Sequence, residues 1–405
     1  MLSRTFKAFE YRDFRLLWLG ACVSSVGTWM QKLAQSWLVL QLSNSPFLLG
    51  LDAFLGEIPI LLFSLIGGVA ADRMDRRNLL VGSQIVQMSC AFLLAGLFAT
   101  GTVQVWHILA LSFVVGLAQA FGGPAYQALI PTLVPPAALS NAIALNSIQF
   151  NLARVLGPMA GGLALTRLGA AWCFGLNGLS FLAVIGSLLA LGRRYIPAPT
   201  GESLLESLKD GLRFIRCRTA MISLIVLAFA MTVLGIPMVV FLPVFARDVF
   251  HQGPSTFTLL LSMSGAGSVA GALAVAAFGH RGTHGRSALL ILVALGLFLT
   301  LFSLSTNLIL SSVFVFLAGA ALIAVFALIT SLVQAIATDR MRGRVMSVYN
   351  VAFRGGMPVG SLAVGALVPI FSAPAVLACC GVLLAVLGAY FLLGQSDVAA
   401  LGTQA

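Results

Sequence analysis

The chain has 405 residues, 60% of them hydrophobic and only 9% charged, with 23 Lys and Arg against 12 Asp and Glu. Soluble domains carry roughly 25% charged residues, so the charges present here cannot hydrate the exterior of a 42.4 kDa protein, and an ordinary water-soluble fold is excluded. The net charge of +11 is not a nucleic-acid footprint either, because the basic residues lie in short clusters between long apolar runs.

A helix rising 1.5 Å per residue needs about 20 apolar residues to cross about 30 Å of hydrocarbon. A charged stretch from Arg4 to Arg15 leads into the first such run, 16–42, which is too long for the apolar core of a cleavable leader and is read as a retained helix. Runs at 47–71, 78–100, 105–130, 142–166 and 172–192 follow. The longest polar interruption, 193–219, holds Pro197 and Pro199 and then a Glu202, Glu206, Lys209, Asp210, Arg213 pattern that suits an amphipathic helix on the membrane surface. Six more runs complete the series at 220–246, 255–278, 287–306, 309–337, 345–370 and 375–394. The spacing predicts an all-α membrane protein of twelve transmembrane helices in two six-helix bundles, 1–192 and 220–394, joined by a central loop, 193–219, and ending in a tail, 395–405.

Most Lys and Arg fall in 4–15, 73–77, 193–218, 281–286 and 340–344, whereas Arg167 and Arg247 fall on the opposite side. The positive-inside rule then places both termini in the cytoplasm. Trp18, Trp106 and Trp172 stand at helix ends, where amphipathic rings favour the interface. The six cysteines, Cys22, Cys90, Cys173, Cys217, Cys379 and Cys380, have no metal-ligand spacing. A shift of 200 places lays Ser147, Arg154 and Pro158 on Ser347, Arg354 and Pro358, at the fifth helix of each half, as an internal duplication would.

The strongest motif ends the second helix: Gly68, then Asp72, Arg73, Asp75, Arg76 and Arg77. Gly68 allows close helix approach, Asp72 suits the positive end of a neighbouring helix, and the arginines suit acids or lipid phosphates. Placed after the second of twelve helices, this segment resembles the loop signature of the major facilitator superfamily, and the resemblance extends over the whole chain. It implies that Asp72 and Arg73 join a cytoplasmic latch between the halves. Asp75 departs from the pattern, standing where many members have glycine. The second-half counterpart, 279–286, keeps basic residues but has no aspartate, and His280 and His284 within it have no further ligands nearby, so no metal or cofactor is expected.

Gly157, Pro158, Gly161 and Gly162 lie within the fifth helix, where proline removes a backbone hydrogen bond and glycines permit tight packing. The segment resembles the antiporter motif of the superfamily's drug-exporting branches, and 116–131 with Asn141 and Asn146 is similar to the branch of enterobactin-type siderophore exporters and macrolide efflux proteins. Gln119 and Tyr126 belong to this stretch and are cavity candidates. The arginine often seen in the fourth helix of drug antiporters is missing before Gly116, so their proton relay does not transfer here. The resemblance implies a monomeric exporter of small molecules in the bacterial inner membrane, driven by protons and working by alternating access.

Ionisable residues within the bilayer are costly and mark function. Here they are Lys32, Glu57, Arg154 and Arg354, with Asp52 near the outer end. Ser25, Thr28, Lys32, Gln35 and Ser36 form a stripe on the first helix that should face a water-filled cavity. Lys32 and Glu57 fall at similar depth and are expected to pair, with Glu57, Lys32 and Asp52 as proton-coupling candidates. Asn151 and Arg154 share a face of the fifth helix, as Asn350 and Arg354 do on the eleventh, and the surplus of positive charge favours an anionic substrate. No His-Glu-x-x-His pair, nucleophile elbow or P-loop appears, which argues against an intramembrane enzyme and against ATP as the energy source. A lipid or lysophospholipid flippase of the same superfamily is the alternative.

Overall fold

A computed structural model describes residues 6–191, 204–278, 284–338, 341–394, 396–399 and 401. Pro197, Pro199, Glu202, residues 279–283 with His280, Arg340 and most of the tail lie outside the described residues, as do the side chains of 204–208, 278 and 396–397.

The first half forms helices α1 (Arg12–Ser43), α2 (Pro46–Arg73), α3 (Arg76–Ala99), α4 (Val105–Leu129), α5 (Leu139–Arg167) and α6 (Ala170–Leu189). A surface helix, α7 (Leu204–Arg216), precedes α8 (Thr219–Val249), α9 (Pro254–Phe278), α10 (His284–Leu304), α11 (Leu308–Ile336), α12 (Arg342–Phe371) and α13 (Ala373–Gly394). All but α7 have spanning length, and ten are also apolar enough to cross a membrane by composition. The two that fall short of that apolarity are α1 and α5, the helices that carry the polar stripes. Leu62, Leu163, Leu273, Leu304 and Leu393 are among many large apolar side chains left exposed, a surface suited to hydrocarbon rather than water.

Local chemistry sets the helix ends. Asn44 closes α1 in the left-handed conformation (φ 50°), its N–H donating to the Leu40 carbonyl at 3.0 Å, and Pro46 then opens α2 at the position where a missing N–H costs nothing. Asp75 caps α3 by accepting from the Arg77 N–H at 3.0 Å, which gives this departure from the loop signature a structural role. The run expected as one helix over 220–246 is broken: Thr219–Gly235 gives way at Ile236 to a second segment, Pro237–Val244, and ends in a π turn, Phe245–Val249. Pro237 cannot donate to the preceding turn, which accounts for the break.

The chain groups into two compact units, one of 1–44 with 55–201 and the other of 45–54 with 202–405. Within the first, α1 packs on α5 and α6, and α3 on α4 and α6. Within the second, α8 packs on α12 and α13, and α10 on α11 and α13. These are the same pairings helix for helix, so the duplication read from three matched residues extends to the packing. The fifth-helix turn repeats as well: Gly169 (φ 92°, ψ 170°) follows α5 and Ser372 (φ 75°, ψ 152°) follows α12 in the same unusual conformation.

The glycine motif is duplicated too, although sequence reading found it only once. Gly157 and Gly161 bring α5 onto α1, where side-chain carbons would collide with Trp29 and Met30. Gly356 and Gly360 bring α12 onto α8 against Thr232 and Val233. The second pair escapes the 200-residue shift because it stands one place earlier relative to Pro358.

Candidate functional site

The loop after α2 is built from helix-end carbonyls. Arg76 donates to Ala71 O at 3.2 Å and to Ala128 O at 2.9 Å, and stands 3.9 Å from Asp72. Arg77 donates to Leu189 O at 2.8 Å and Leu191 O at 3.0 Å. Both guanidinium groups therefore cap the negative ends of α4 and α6. Of the acids expected as their partners, Asp72 stands beside Arg76, while the main-chain carbonyls take most of the hydrogen bonds. Arg73 is exposed. Close approach to α4 is made by Gly67, against the Ala120 carbonyl, and not by Gly68, whose missing side chain would meet open space; one residue turns 100° around the helix.

The polar stripe on α1 divides. Ser25 accepts from Gln149 at 2.7 Å and Gln35 donates to Ser112 at 2.9 Å, so these two residues join helices instead of lining an open cavity. Gln31, which lies beside the stripe, donates to Gln35 at 3.4 Å and accepts from Asn177 at 2.6 Å. Sequence reading passed over Gln31, Gln149 and Asn177, although an amide inside an apolar run is itself the signal that would have found them.

Lys32 meets an aromatic ring of its own helix. Its ammonium stands 5.3 Å from the centre of the Trp29 ring, three residues back along α1, and the Arg154 guanidinium from α5 stands 5.4 Å from the same ring. Phe150 completes the group edge-on, its ring centre 6.5 Å away. Lys32 is exposed on its unit and Trp29 and Arg154 are half-buried, so the group is accessible. Two cations against one indole ring give a surface that takes an aromatic ring by stacking and an anion by charge. Trp29 itself was not among the expected site residues. Its place three residues before Lys32 on the same helix is the signal that could have found it.

The other candidates distribute as follows. Asn151 turns back on α5, donating to Ser147 O at 2.8 Å. Tyr126 donates to Asn146 at 2.7 Å, and Gln119 accepts from Gln87 at 3.3 Å. Asp52 is buried and Glu57 half-buried. On α12, Asn350 and Arg354 are exposed on their unit, on the face equivalent to that of Asn151 and Arg154. Pro158, Gly157, Gly161 and Gly162 are buried in helix packing.

The family model described as transmembrane secretion effector matches residues 3–400. The multidrug efflux pump Tap of Mycolicibacterium fortuitum is 26% identical over 87% of this chain and 88% of that protein. The enterobactin exporter EntS of Shigella boydii is 27% identical over 87% of this chain and 85% of its own. Among solved structures, a nucleoside transporter, NupG, superimposes with a TM-score of 0.79 at 14% identity, covering 94% of this chain and 99% of that one, which is a likeness of fold. The chain belongs to the transmembrane secretion effector family of major facilitator transporters: it is a multi-pass membrane exporter of small molecules and not an enzyme.

Proposed function

We propose that the exported molecules are small amphipathic anions with an aromatic part, and that protons moving the other way drive them out. The observation that carries this reading is the Trp29 ring with both Lys32 and Arg154 against it. A stacked ring gains from the indole while a carboxylate or catecholate gains from the two cations, so one group reads both features of the ligand. Relatives similar over most of this chain are named for the export of multiple drugs and of enterobactin. Glu57 and Asp52 are the proton-site candidates, being the acids of a largely apolar helix that lie away from its last turn, where Asp72 stands. The two halves, 1–192 and 220–394, are the bodies that rock, with 193–219 as the tether on the cytoplasmic side of a bacterial inner membrane.

The test is a flux screen in proteoliposomes with an imposed pH gradient, comparing a catecholate siderophore, a macrolide and a lysophospholipid. The reading expects saturable transport of the catecholate, and a Glu57→Gln variant that loses at least about tenfold of gradient-driven flux, the usual scale for a positioned proton carrier. Transport of the lysophospholipid alone would transfer the chain to the flippase reading. Unchanged coupled flux in the Glu57 variant would remove that residue from the proton path.

A further inference from the structure

On the side where the basic loops gather, α7 runs into the start of α8 and lies across the first turn of α12, with Gly211 against the Arg344 carbonyl. These three elements frame an open groove of about 590 Å³. Among the described residues Arg213, Arg218 and Arg344 line it against one acid, Asp210, leaving two positive charges in excess. Arg344 is committed to Asp210 at 2.6 Å. Arg218 lies with its guanidinium carbon 3.8 Å from the centre of the Phe214 ring. Stacking uses the flat face of a guanidinium and leaves the N–H groups at its edge able to donate. Arg213 and Arg218 are both exposed. The floor is apolar, made by Phe214 and Met341. Beside it Ile215 is buried, whereas Leu212 is 41% exposed on a helix whose position requires it to rest at the membrane surface.

We infer that this groove binds the headgroup of an anionic phospholipid, with Arg213 and Arg218 on the phosphate and the Phe214 and Met341 floor under the glycerol and upper acyl chain. A soluble anion would use the cations and gain nothing from the floor. A neutral lipid would use the floor and forgo the excess charge. The site is independent of the Trp29 group, since α7, α8 and α12 contribute none of its residues.

The experiment is native mass spectrometry of the full chain in detergent, titrated with phosphatidylglycerol and, separately, phosphatidylcholine. Phosphatidylglycerol should bind more tightly, and Arg213→Gln with Arg218→Gln should weaken it about thirtyfold, from about 1 kcal/mol per basic residue. Arg167→Gln, a basic residue expected on the opposite side, should leave binding unchanged. The single Arg213→Gln and Arg218→Gln variants carry the comparison if the double variant loses its helical circular dichroism. Equal affinity for the two lipids, unchanged affinity in the arginine variants, or displacement of phosphatidylglycerol by millimolar inorganic phosphate would each overturn the site.

Discussion

Trp29 contributes an uncharged platform against which two cations, Lys32 and Arg154, are held. A cation over an indole gains about 0.5 to 2 kcal/mol depending on exposure. Trp29→Ala should therefore raise the half-saturating concentration of an aromatic anion by about threefold to thirtyfold, with Trp29→Phe between the two, in vesicle flux assays. A variant indistinguishable from wild type would place recognition elsewhere. Ser372 permits a second test at this scale, because its φ of 75° with ψ of 152° is a conformation that only glycine adopts freely. Ser372→Gly should raise the melting midpoint, relieving about 1 kcal/mol, whereas Gly169→Val in the equivalent turn should lower it; circular dichroism melts in detergent measure both. At this scale the sequence was least legible. Lys32 and Arg154 were recognisable from the cost of charge in a bilayer, but the partner that holds them is an apolar-looking tryptophan, and nothing in composition separates it from an interfacial anchor.

Helices meet where small residues let them. Gly157 and Gly161 against α1, and Gly356 and Gly360 against α8, are separated by four residues and so share one face. Gly157→Val or Gly360→Val should each cost about 1 to 3 kcal/mol through overpacking, read as a lower melting midpoint and reduced flux. The same substitution at Gly68, which faces open space, should leave the melt nearly unchanged. That contrast distinguishes a packing glycine from a neighbouring one that only matches a motif. Element positions were readable from apolar length because the bilayer demands about 20 residues per crossing. The rotation of each helix was less so: one residue of error is 100°, enough to assign Gly67's contact to Gly68 and to send Ser25 and Gln35 towards an open cavity instead of Gln149 and Ser112. The break in α8 was foreshadowed by Pro237 and Pro243 but hidden by an unbroken apolar run.

For the molecule as a whole, the repeated packing of α1 to α6 in α8 to α13 shows that the two halves descend from one plan, although their sequences match at few places. Packing depends on size and face, which many residues satisfy, so the plan persists where identity does not. The sidedness proposed from charge has a direct readout in Cys217, which is exposed between Arg216 and Arg218 just before α8. A membrane-impermeant maleimide should label it in inside-out vesicles and not in intact cells, with a Cys217→Ser variant as the control for Cys379, the other exposed cysteine, which lies within α13. Labelling from the outside would reverse the orientation and with it the direction of export.

The amide chain through the first unit has a consequence for how α1 is oriented. Ser180 donates to Asn177, Asn177 to Gln31, Gln31 to Gln35 and Gln35 to Ser112, so the bonds run in one direction from α6 through α1 to α4. Each side-chain amide offers a fixed set of donors and acceptors, and within lipid there is no water to replace a lost partner. If α1 docked one residue out of register, the two bonds that leave it, from Asn177 to Gln31 and from Gln35 to Ser112, would be strained or lost together. Paired amides of this kind set the rotation of α1 against α4 and α6 more narrowly than apolar packing alone does.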